Sequence, residues 1–137
     1  MNYDRCGHAI VKHLSSVFVF AGYDRGLIAT AEQYNLSEDS WKEIAPLPVA
    51  SRLLTGSVID GLIYINGYDT SGMYAYNPRN DTYKFYDLHT PTVRSSFLIP
   101  QKDHILIGYD TTGKAMVVSK KGKILGTREH PDISYCI

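Results

Sequence analysis

One feature constrains this chain more than any other. A glycine-bounded turn recurs three times, as Gly22-Tyr23-Asp24-Arg25-Gly26, Gly67-Tyr68-Asp69-Thr70-Ser71-Gly72 and Gly108-Tyr109-Asp110-Thr111-Thr112-Gly113. Each copy closes a short run of branched and aromatic residues, at 17–20, 62–65 and 104–107. The leading glycines lie 45 and 41 residues apart. A short apolar strand ending in the same tripeptide at that period is the signature of stacked structural repeats. The glycines read as residues placed for backbone conformations that other residues resist.

The surrounding sequence repeats with it. Asp60-Gly61, between two apolar runs, is the strongest hairpin signal in the chain. Tyr34 precedes Trp41 by seven residues and Tyr76 precedes Tyr83 by seven, with both pairs offset by 42. A third, eroded unit has Val117 and Ile124 at these positions, with Lys121-Gly122 supplying the turn. The units run over about residues 5–51, 52–93 and 94–126, and a further strand is expected over about 132–137. Four short strands per unit, joined by tight turns, describe a propeller blade. Trp41 and Tyr83 are expected to anchor the core between blades.

Composition narrows the function classes. Fourteen Lys and Arg balance fourteen Asp and Glu, so no net field draws the chain to nucleic acid or an anionic membrane. Eleven tyrosines favour pleated, half-buried surfaces. No apolar run reaches the ~18 residues of a membrane helix. The first eight residues lack a signal-like pattern, and Cys6 and Cys136 fit reduced thiols rather than a disulfide framework. A cytoplasmic location is the expectation. The five histidines show no metal-ligand spacing and no phosphate-binding or nucleophile-elbow motif occurs, so no metal, cofactor or catalytic residue is expected.

The units resemble the kelch repeat. The resemblance rests on the apolar strand ending in glycine, the Tyr76-Asn77-Pro78 turn, the aromatic seven residues on, and Pro46-Leu47-Pro48 before Arg52. It departs from the family pattern in Ala21-Gly22, Asn66-Gly67 and Ile107-Gly108, where a Gly-Gly doublet is usual, and in keeping tryptophan in one unit. The expected fold is all-β, a kelch-like β-propeller segment of three four-stranded antiparallel blades plus the first strand of a fourth, forming an open arc. Closed propellers have about four to eight blades. The remaining blades therefore come from a longer chain, which the stop at Ile137 favours, or from self-association.

In an antiparallel blade the end of the second strand and the start of the first share a rim. That rim gathers Tyr23, Asp24, Arg52, Tyr68, Asp69, Arg94, Tyr109 and Asp110, with Arg5 beside them. Tyrosine offers rigid contact area and arginine pairs with carboxylates, chemistry suited to gripping a peptide. Such a rim, as the resemblance implies, recognises a partner protein. The expected function is a noncatalytic protein-interaction module, fitting a larger adaptor or scaffold. The competing structural reading is that each Arg braces a neighbouring blade and each Asp holds its own turn. An alternative function is a propeller enzyme acting on a sugar or other small molecule in the axial channel.

Overall fold

The computed structural model describes residues 1–89, 95–109 and 114–129. Arg94, Asp110 and the strand expected over 132–137 lie outside them, as does the side chain of Tyr109. Twelve strands form three four-stranded antiparallel sheets in chain order, with no helix among the described residues. The first sheet holds β1 (Ala9–His13), β2 (Ser16–Tyr23), β3 (Leu27–Asn35) and β4 (Ser40–Ile44). The second holds β5 (Thr55–Ile59), β6 (Leu62–Asn66), β7 (Gly72–Asn77) and β8 (Thr82–Asp87). The third holds β9 (Ser95–Pro100), β10 (His104–Tyr109), β11 (Lys114–Ser119) and β12 (Ile124–Glu129).

The first strands of the sheets stand side by side, β5 between β1 and β9, and the other strands fan outward. This is an open arc of three blades. Each strand alternates its side chains between two faces, and adjacent blades bury facing stripes against each other. Between the first two blades, Val11, Phe18, Phe20 and Ala31 meet Ile63, Ile65, Tyr74 and Tyr76. Phe20 and Tyr76 meet edge-on at 5.3 Å, a favoured aromatic geometry. Between the second and third, Ile59, Tyr64, Met73 and Ala75 meet Leu98, Ile105, Ile107 and Val118. Burial of these stripes is what holds the blades together, at roughly 25 cal/mol for each Å² of apolar surface removed from water.

The structure alters three local expectations. The first strand begins at Ala9, because residues 5–8 cross the rim and touch β2 only through a single bridge between Cys6 and Tyr23. The apolar runs 17–20 and 62–65 are not equivalent residue by residue. A bulge at Ala21, whose φ is 54°, shifts the register so that Val17 and Val19 take the places of Ile63 and Ile65. Bulges of this kind re-aim the strand that carries them.

The third concerns the turn glycines. Gly22 does take a left-handed φ of 113°. Gly67 does not; a Cβ there would meet Ser51 Oγ at 2.8 Å and Leu54 Cγ at 2.9 Å. Gly72 and Gly108 are small for the same reason, close approach of the Tyr86 carbonyl and of the Phe97 ring.

Candidate interaction rim

The rim is organised by the crossover from β4 to β5. Ser51, fully buried, gives its carbonyl to Gly22 N–H at 2.8 Å, and its Oγ lies 3.2 Å from Asp69 N. Leu54 N–H donates to the Gly7 carbonyl at 3.1 Å, and Tyr68 N–H donates to the Arg52 carbonyl at 3.1 Å. Residues 51–54 thus lace the first blade's rim to the second blade's turn. That lacing explains why position 67 has no room for a side chain.

Inside the second turn, Thr70 acts as the lock. Its hydroxyl oxygen accepts Gly67 N–H at 3.0 Å and lies 2.9 Å from the carbonyls of Gly67 and Gly72. Asn66 Nδ2 donates to the Gly72 carbonyl at 2.6 Å. Asp69 accepts Arg52 N–H through Oδ2 at 3.3 Å, so its carboxylate is engaged with the crossover backbone.

The Arg52 side chain is exposed, and its guanidinium lies over the Tyr68 ring at 5.3 Å from the centroid. Such stacking contributes about 0.5–1 kcal/mol at an exposed site and holds the cation in a fixed place. Tyr23 is exposed at the end of β2, its backbone paired with Cys6. Asp24 N–H donates to the Gly26 carbonyl at 3.0 Å, and the Asp24 side chain faces solvent. The structure therefore brings Arg52, Tyr68 and Asp69 together and leaves Tyr23 and Asp24 on the neighbouring turn.

Arg5 has a different role from Arg52, although both precede the first strand of a blade. Its Nη1 donates to the carbonyls of Ala21 (2.9 Å) and Thr30 (2.6 Å), and its Nη2 to Thr30 Oγ1 (3.1 Å) and Glu32 Oε2 (2.9 Å). Both side chains of the Arg5–Glu32 pair are wholly buried. Tyr3 covers the guanidinium, and Asn2 N–H donates to Glu32 Oε1 at 2.6 Å. Arg5 is a brace for its own blade rather than part of an exposed ring. Nearby, His8 is half-buried, with no hydrogen-bond partner on Nδ1 among the described residues. Burial, and then the Arg5 charge, hold its pKa below the usual imidazole value.

Sequence reasoning missed a second constellation, at the outer edge of the blades. Asp81 accepts Ala45 N–H (2.9 Å and 3.1 Å to its two oxygens) and the Tyr76 hydroxyl (2.8 Å). The Tyr83 hydroxyl donates to the Ala45 carbonyl at 2.7 Å. Together they clamp one peptide unit of the first blade to the second. Desolvation raises the pKa of both tyrosines, keeping each hydroxyl protonated as a donor. The signal was present in the spacing: Tyr34 and Tyr76 are each followed at five residues by Asp and at seven by an aromatic.

A groove of about 400 Å³, with His13, Phe18, Gln33 and Arg79 among its lining, opens beside the β1–β2 turn. That turn is at the opposite end of the blades from the rim. No group of three or more potential metal ligands occurs among the described residues.

With the blade geometry in place, the family comparison is decisive for the first repeat. Residues 4–48 match the Kelch motif. The first blade carries a kelch motif. The matched segment takes in Arg5, the whole first blade and Leu47, the buried residue at which the crossover begins. The second and third sheets repeat the strand order of the first. No curated protein matches the chain significantly. Kelch motifs generally build β-propeller modules for protein interaction, and the open all-β arc is consistent with that architecture.

Proposed function

We propose that this chain is a noncatalytic protein-interaction module whose kelch blades present the β2–β3 and β6–β7 turns to a partner. The observation that carries the reading is Arg52 lying over Tyr68, on a turn held to the crossover residues Ser51 and Arg52 by three hydrogen bonds and closed internally by Thr70. A stacked arginine beside a half-buried aromatic, already ordered before binding, loses little freedom when a partner docks. Arginine and tyrosine are also the residue types that dominate binding hot spots. A partner segment bearing a carboxylate, with an apolar residue to lie on Tyr68 and Tyr23, fits this chemistry best.

Under this reading the chain serves as the recognition part of a larger cytoplasmic adaptor or scaffold. Arg52→Ala combined with Tyr68→Ala, followed by affinity capture and mass spectrometry, tests the rim. Loss of specific interactors with an unchanged melting curve supports it. An unchanged interactor set from the folded variant contradicts it.

A further inference from the structure

The groove at the far end of the blades from the rim has the chemistry of a second binding site. It lies in the junction of the first two blades, with His13, Phe18 and Gln33 on one side and Pro78 and Arg79 on the other. Its existence therefore does not depend on what flanks the arc. The strand ends Asp87, Ser95, Tyr109, Lys114 and Glu129, from which the chain continues through 90–94, 110–113 and 130–137, are all at the rim end.

Arg79 is exposed on the β7–β8 turn, where its N–H donates to Asn77 Oδ1 at 3.0 Å. Its guanidinium makes no ion pair among the described residues. Asp81, the acid of the same turn, is engaged with Ala45 and Tyr76. Across the groove stand the His13 ring and the Gln33 amide, which donates to Ser16 Oγ at 2.8 Å. No residue lining the groove carries a carboxylate, and the buried Phe18 ring forms its floor. The space of about 400 Å³ is within the roughly 300–1,000 Å³ of ligand sites. An unpaired cation, further N–H donors and an apolar floor select a carboxylate borne on an apolar body.

The lip of the groove breaks a local rule. The β1–β2 and β5–β6 turns hold the same place in their blades, closing the pairs His13–Ser16 and Ile59–Leu62. The second turn uses Asp60-Gly61, residues suited to left-handed φ. The first uses Leu14 at a φ of 54°, an outlier for a bulky aliphatic residue, with its side chain standing in solvent. A turn formed for stability alone would place Gly or Asn there. Strained positions of this kind cluster at binding sites. An exposed aliphatic lip suits a peptide, which extends beyond the groove, better than a small molecule, most of which a pocket encloses.

We propose that the groove seats an acidic segment of a partner protein, with its carboxylate on Arg79 and an adjacent aliphatic or aromatic side chain against Leu14 and Phe18. The proposal goes beyond the rim reading, because no rim residue takes part in it.

A random peptide display library, panned on the wild-type chain, tests it. The expected result is a class of peptides that set Asp or Glu beside Leu, Ile or Phe. Their affinity, read by fluorescence polarisation, should fall by about tenfold or more with Arg79→Gln. Leu14→Gly should weaken them by about threefold or more while raising the melting temperature, so the loss is not one of folding. The Arg52→Ala, Tyr68→Ala double variant should bind them as the wild type does, which separates this site from the rim. Circular dichroism melts establish that each variant is folded. Recovery of no acidic peptide would overturn the proposal. Acidic peptides indifferent to Arg79→Gln or to Leu14→Gly would overturn it equally.

Discussion

The first two blades carry the same edge motif in two environments. In the second blade, Tyr76, Asp81 and Tyr83 face the first blade and hold the Ala45 peptide from both sides. In the first blade, Tyr34, Asp39 and Trp41 form the same turn and the same cross-strand pair, yet they face outward. The inner part of that outward face also differs. Where the second blade has Tyr74 and Phe85, the first has Glu32 and Glu43, satisfied by Arg5, Asn2 and Tyr3. The comparison teaches that a local motif fixes the turn, while the neighbouring blade decides whether it becomes core.

The largest effect should come from testing that contrast in the aromatic pair. Tyr76 is 1 % exposed among Phe18, Phe20 and Tyr83. Tyr76→Ala should lower unfolding free energy by about 3–5 kcal/mol, by loss of burial and creation of a cavity. Tyr34→Ala, in dilute solution, should cost about 1 kcal/mol or less. Urea unfolding measures both, and similar losses would break the comparison.

The arginines give the next contrast. Arg5→Leu leaves Glu32 buried without its cation and should cost about 3–5 kcal/mol. Arg52→Leu touches only the stacked Tyr68 ring and should cost about 1 kcal/mol or less. Thermal melts of the two variants check this.

Gly67→Ala should cost about 1–3 kcal/mol by overpacking against Ser51 and Leu54. Gly61→Ala has open space for its Cβ, so its cost comes from its left-handed φ of 79°, about 1–2 kcal/mol.

How much of this was legible in the sequence follows from the range of each interaction. The strand-glycine period, the Asp60-Gly61 hairpin and the seven-residue aromatic spacing are local, and they specified three blades and the pairs Tyr34–Trp41 and Tyr76–Tyr83. The bulge at Ala21 was hidden because an extra residue in a strand leaves composition unchanged. The need for glycine at 67 was hidden because its cause is Ser51, which reaches the site only through the fold. Arg5 and Arg52 look equivalent in the sequence, but the structure sets Cys6 in the place of Arg52. Tyr23 N–H donates to the Cys6 carbonyl as Tyr68 N–H does to that of Arg52, and Arg5 lies one residue further back, turned inward onto Glu32. Trp41, expected between blades, lies on the outward face because no described blade precedes it.

Acid should act through His8 in a predictable direction. Its folded pKa is lowered, so the unfolded chain binds more protons near the ordinary imidazole pKa. Its contribution to stability is therefore complete above about pH 6.5 and declines as pH falls toward the lower folded value. His8→Gln should flatten that part of the stability–pH curve, measured by urea midpoints. A smaller gain is expected from Leu14→Gly. Leu14 is 81 % exposed in the β1–β2 turn at a left-handed φ of 54°. Glycine there should stabilise the chain by about 0.5–1 kcal/mol, read as a raised melting temperature.

The central claim is that Asp81 closes a blade junction and Asp39 is the same device without its neighbour. Urea unfolding of Asp81→Ala and Asp39→Ala tests it most directly. Asp81→Ala breaks the bonds to Ala45 and Tyr76 and should cost about 2–3 kcal/mol, whereas Asp39→Ala should cost about 0.5 kcal/mol or less. Equal losses from the two variants would contradict the account.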